Sequence, residues 1–74
     1  MHPLDLAEER ERRRRREHRK LATAIRHAIH AATPAERVDL IALSDAVRLN
    51  HVSVEDARQT VAALRRTQQT RNAA

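Results

Sequence analysis

The sequence predicts an all-α protein of three to four helices, and three observations carry that prediction. It contains no glycine and only two prolines, Pro3 and Pro34, so helical backbone is interrupted only at those points. Its apolar residues recur at three- and four-residue spacing. Two helix-start signatures, Thr33-Pro34-Ala35-Glu36 and Ser53-Val54-Glu55-Asp56, then divide its second half.

Composition narrows the class further. A chain of 74 residues holds one domain at most, near the size where a single core barely sustains a fold. Phe, Tyr and Trp are absent, so the core rests on Leu, Ile, Val and Ala, which bury less area each than aromatics. Dependence on a partner or on self-association for part of the stability is therefore expected. The absence of cysteine excludes disulfides and thiolate metal sites and fits a reducing, cytoplasmic setting. No apolar run is long enough for a membrane span. Met1-His2-Pro3-Leu4-Asp5 lacks the basic start and apolar stretch of a secretory signal. Fourteen arginines against one lysine, with abundant alanine, match a high-GC bacterial, phage or plasmid coding bias. The net charge of +5 and a pI near 11.4 favour a polyanionic partner, without conferring specificity.

The first helix is expected from Leu4 to about Ala32, entered after Pro3. Residues 8–20 are polar on every face and carry eight bases against four acids. Glu8–Arg12, Glu9–Arg13 and Glu11–Arg15 stand in the favourable i,i+4 order, each worth roughly 0.2–0.5 kcal/mol. From Leu21 an apolar stripe begins: Leu21, Ala24, Ile25, Ala28, Ile29 and Ala32. This stripe can serve as core, dimer surface, or both. Residues 1–20 thus read as a charged extension, 21–69 as a small helical domain, and 70–74 as a disordered tail.

Thr33 caps the second helix, Pro34 takes its first position, and Glu36 closes the capping box. That helix reaches about Leu43, with Val38, Ile41 and Ala42 on one face and Leu40 and Leu43 beside them. Residues 44–50 are either its tail or a short third helix. Asn50-His51 makes the turn, since both residue types are enriched at positive φ. Ser53 caps the last helix, with Asp56 reaching back. That helix runs from Val54 to about Gln69, with Ala57, Val61 and Leu64 on its apolar face and Thr60 alongside.

Ser44 to Leu64 resembles the helix-turn-helix of bacterial and phage DNA-binding proteins. Ser44-Asp45 matches the opening of the first helix and His51-Val52-Ser53 the turn. Ala57, Val61 and Leu64 match the buried face of the recognition helix. No hairpin follows, so no wing is expected. His51 stands where glycine is usual, which implies backbone strain there, and Asn50 stands where leucine often closes the core. Glu55 and Asp56 place negative charge where phosphates would lie. The resemblance implies that Val54, Glu55, Arg58, Gln59 and Ala62 face bases in the major groove of double-stranded DNA. Arg48, Arg65 and Arg66 would then touch phosphates, together with Arg12, Arg13, Arg14, Arg15, Arg16 and Arg19 of the first helix.

Nothing points to catalysis or a cofactor. Ser44 and Ser53 are caps, no glycine exists for a phosphate loop, and His27 and His30 lack acidic partners at metal-ligand spacing. The leading expectation is a small DNA-binding transcriptional regulator, acting as a homodimer since one such module alone rarely gives enough affinity. The main rival is a helical adaptor or inhibitor that binds an acidic protein. A third reading is an RNA-binding protein led by residues 10–20, whose composition resembles arginine-rich RNA-binding peptides.

Overall fold

The computed structural model describes residues 2–73 and contains three helices: α1 (Pro3–His30), α2 (Pro34–Arg48) and α3 (Val54–Ala73). There is no strand among the described residues, and the all-α class holds.

At the start of α1, His2 Nδ1 accepts the Leu4 N–H at 3.2 Å and Pro3 occupies the first position. The helix stops two residues before the expected end. Thr33 precedes a proline, which disfavours α backbone there, and it sits extended at φ −69°, ψ 163°. Its capping box is complete. Thr33 Oγ1 accepts from Glu36 N–H at 3.2 Å, and Glu36 Oε1 accepts from Thr33 N–H at 3.0 Å.

The region 44–50 is the tail of α2 and not a separate helix. Leu40, Leu43 and Val47 keep one three-and-four spacing through Ser44; Leu40 and Val47 are buried and Leu43 is half-buried. Breaking the helix at Ser44 would take Val47 out of that row. The outward side of α2 holds Val38, Ile41 and Ala42, the face that sequence spacing had grouped together.

The turn ends α2 with two nested bonds, His51 N–H to the Ala46 carbonyl at 2.8 Å and Asn50 N–H to the Val47 carbonyl at 3.0 Å. This is a Schellman motif, and its left-handed residue is Asn50 at φ 61°. The strain expected at His51 is absent, because Asn50 alone among the described non-glycine residues has positive φ. Ser53 Oγ then accepts from Asp56 N–H at 3.1 Å. Among the described residues only this forward half of the second box forms. Aspartate is a methylene shorter than the glutamate that completes such boxes.

Leu21, Ile25 and Ala28 of α1, Leu40 and Val47 of α2, and Ala57 and Val61 of α3 form the buried core. The stripe on α1 is therefore spent within the chain. Thr60, expected beside the apolar face of α3, is exposed and donates its hydroxyl to the Asp56 carbonyl at 3.0 Å. Ala28 and Ala57 are fully buried, so α1 and α3 approach closely with no bulk between them.

The contacts also give direction. Arg58 meets Glu17, Gln68 meets Ala28, and Arg71 meets Ala31, so α3 advances as α1 advances and the two are parallel. Arg71 also meets Glu36, placing the start of α2 at the end of α1, so α2 runs back antiparallel to both.

α3 continues through Ala73, past the expected end at Gln69 and into residues expected to be a disordered tail; Ala74 lies outside the described residues. Gln68 and Arg71 extend the seam of Ala57, Val61 and Leu64 by the same spacing. Gln68 is fully buried, its Nε2 donating to the Ala28 carbonyl at 2.9 Å and its Oε1 accepting from Arg65 at 2.8 Å. Arg71 donates to the Ala31 carbonyl at 3.0 Å and to both Glu36 oxygens at 3.0 Å. The last carbonyls of a helix lack internal partners. The end of α1 finds two of them on α3.

Candidate nucleic-acid interface

The first buried residue of α1 is Leu21, and among the described residues before it only Glu11 and Glu17 are even half-covered. With a rise of about 1.5 Å per residue, the 28-residue helix outruns the 15-residue α2, and its N-terminal part extends past the α2–α3 turn. The molecule measures 54 Å in its longest dimension against 24 and 16 Å.

Along this free half the expected pairs form in part. Arg12 meets Glu8 at 3.3 Å and Arg15 meets Glu11 at 3.6 Å, while Glu9 reaches Arg16 at 3.7 Å and not Arg13. Arg14 shares Glu11 at 3.4 Å. These pairs are well exposed and each contributes little to stability. Among the described residues Arg10, Arg13 and Arg19 have no ion-pair partner within 4.0 Å. The helix therefore keeps a surplus of positive charge.

That surplus is shaped. Where α1 passes the end of α2, an open cleft of about 640 Å³ is lined by Arg14, Arg15, His18 and Arg19 from α1, with Glu11 as its one acid. Val47, Arg48 and Asn50 close the opposite wall. The Schellman turn aims this wall, because left-handed Asn50 folds the chain back beside Arg48. Four arginines expected at phosphates, three on one helix and one from the far end of another, thus converge. Their guanidiniums offer forked donors suited to phosphate oxygens. Arg48 is held at 3.1 Å by Asp45, which orients it at the rim.

Arg12, Arg13 and Arg16 are exposed on α1 but do not line this cleft. Arg12 and Arg16 adjoin it on a face shared with Arg15 and Arg19, and Arg13 lies beside Arg14 towards the start of α3. Arg66 is exposed on α3. Arg65 is half-buried and donates to Gln68 Oε1 at 2.8 Å. Of the residues expected to face bases, Glu55, Arg58, Gln59 and Ala62 are exposed along one side of α3. Val54 is not outward: it is half-buried and packs against the core. Arg58 is already occupied, donating to Glu17 at 2.6 Å and lying 3.8 Å from Glu55, and Gln59 donates to Glu55 at 3.4 Å. The start of α3 lies against the arginine-rich helix, with Val54, Glu55 and Arg58 grouped beside Arg10, Arg13 and Arg14. Glu55 thus sits among arginines of its own chain, with Glu17 as the other acid of the group.

Sequence reasoning missed the Glu36–Arg71 pair. Its hydrogen bonds from Arg71 and then from the Thr33 backbone hold the Glu36 carboxyl down at about 2, well below its ordinary 4.5. The signal was the position of Arg71 on the Ala57–Leu64 seam.

His27 and His30 are exposed on α1, and no group of three or more His, Cys, Asp or Glu among the described residues is placed to hold a metal ion. No described helix is long and apolar enough to cross a membrane. The chain matches no family model, no curated protein and no solved structure.

Proposed function

We propose that this is a small non-enzymatic DNA-binding protein, a transcriptional regulator of the helix-turn-helix kind. It would grip the duplex backbone in the cationic cleft and present Glu55, Gln59 and Ala62 of α3 to the groove. The observation that carries this reading is the convergence of Arg14, Arg15, Arg19 and Arg48 on one concave surface with a single acid. Phosphate contacts of this kind position a protein without reading sequence. Base readout then falls to the exposed stripe of α3, where Gln59 suits adenine and Glu55 suits cytosine. Arg58 would contribute only after leaving Glu17.

The test is fluorescence anisotropy against a random duplex, an RNA hairpin and an acidic protein, at low and moderate salt. Duplex binding that weakens steeply with salt supports the proposal. Preference for the hairpin would move the function to RNA. Binding to the acidic protein alone would make the arginine helix a protein-docking arm.

A further inference from the structure

We infer that the outer face of α2 pairs antiparallel with the same face of a second copy of this chain. On α2 the buried residues Leu40 and Val47 look inward. On the opposite side Val38, Ile41, Ala42, Asp45 and Leu49 recur at i, i+3, i+4, i+7 and i+11, one continuous helical stripe. Val38 is 66% exposed, Ile41 57% and Leu49 58%; the other large apolar side chains left in water, Leu4 and Leu6, stand apart at the start of α1. The α1 stripe, the other candidate for association, is consumed by the core.

Charge selects both the occupant and its direction. A two-fold axis at Ile41 sets Ile41 against its copy, and it brings Arg37 of each chain to the height of Asp45 of the other, across the contact line, within reach of the long arginine side chain. Arg37 has no ion-pair partner within 4.0 Å among the described residues, and Asp45 already holds Arg48 at 3.1 Å, so each Asp45 would sit between two arginines. A parallel pairing would instead set Asp45 against Asp45. The α2 helix is about 22 Å long at 1.5 Å per residue. One face of it falls short of the roughly 800 Å² per partner of a standard interface. The pairing is therefore a weak, concentration-dependent equilibrium. The two-fold also reverses α1, so the two arginine-rich halves leave the dimer at opposite ends.

The test is sedimentation equilibrium of the full chain, free of nucleic acid, from low to high micromolar concentration, and so it stands apart from the nucleic-acid proposal. The wild type should rise from the chain mass of 8.5 kDa toward twice that value. Ile41→Glu should remain at chain mass with unchanged helical circular dichroism, because Ile41 lies outside the core. Arg37→Asp should dissociate the pair, and Arg37→Asp with Asp45→Arg should restore it. A wild type that stays monomeric throughout, or a dimer that survives Ile41→Glu, overturns the inference. Failure of the charge-swapped double variant to recover overturns the antiparallel register.

Discussion

Arg58 Nη1 lies 2.6 Å from Glu17 Oε2, and this contact fastens the arginine-rich half of α1 to the first turns of α3. It joins residues 41 positions apart and occupies the side chain best suited to read guanine. Both partners retain solvent contact, so the pair adds little stability, roughly 0.5 kcal/mol or less. Its weight is on binding. Glu17→Gln should leave the urea midpoint nearly unchanged while tightening duplex binding, and its salt slope should steepen by about one if Arg58 reaches a phosphate. Unchanged affinity and slope would mean that Arg58 takes no part.

Gln68 stands at a core position because the end of α1 needs a donor there. Ala28 is fully buried, so no water can replace the amide at its carbonyl. Gln68→Leu keeps the volume and removes the bond, and it should cost about 1–3 kcal/mol in urea denaturation. Gln68→Glu should do worse, since a carboxylate can donate nothing to the carbonyl. A neutral Gln68→Leu would show that the bond carries no weight.

The Glu36–Arg71 pair predicts acid sensitivity. The folded-state value of Glu36 is depressed from 4.5 to about 2, so its contribution is fully present above 4.5 and fades as pH falls toward about 2. Arg71→Gln should flatten this part of the pH–stability curve and expose the last-turn amides of α3 to faster hydrogen exchange. Equal acid sensitivity in both proteins would show that the pair does not set it.

Asn50 holds the left-handed position of the turn. Asn50→Gly should be neutral or mildly stabilising, whereas Asn50→Val should cost about 1–2 kcal/mol in thermal unfolding. Equal midpoints for the two variants would contradict the Schellman geometry.

The elements that were legible in the sequence are those specified by neighbouring residues. Thr33 with Glu36, Ser53 with Asp56, and Asn50 at the turn act within a few positions, so spacing reveals them. The stripe from Leu21 was legible for the same reason. The seam of α3 was only half visible, because it continues in Gln68 and Arg71, polar residues that satisfy backbone carbonyls of α1. Nothing local shows that Arg58 finds Glu17, or that Arg48 joins Arg14, Arg15 and Arg19. Nor does spacing say which face of α2 turns inward: Val38 and Ile41 pattern as well as Leu40 and Val47. Packing decides among such faces, and it requires all three helices together.

The most direct test compares two triple variants of equal charge by the salt dependence of duplex binding. Arg14, Arg19 and Arg48→Gln removes three of the cleft's four arginines, while Arg12, Arg13 and Arg16→Gln removes the same charge from positions of α1 that do not line it. A cleft that holds the backbone predicts that the first variant binds far more weakly, with a slope shallower by about 0.9 for each phosphate it no longer neutralises. The second variant should retain most of its affinity and slope. Equal weakening in the two variants would contradict a shaped site and leave only diffuse attraction along the helix.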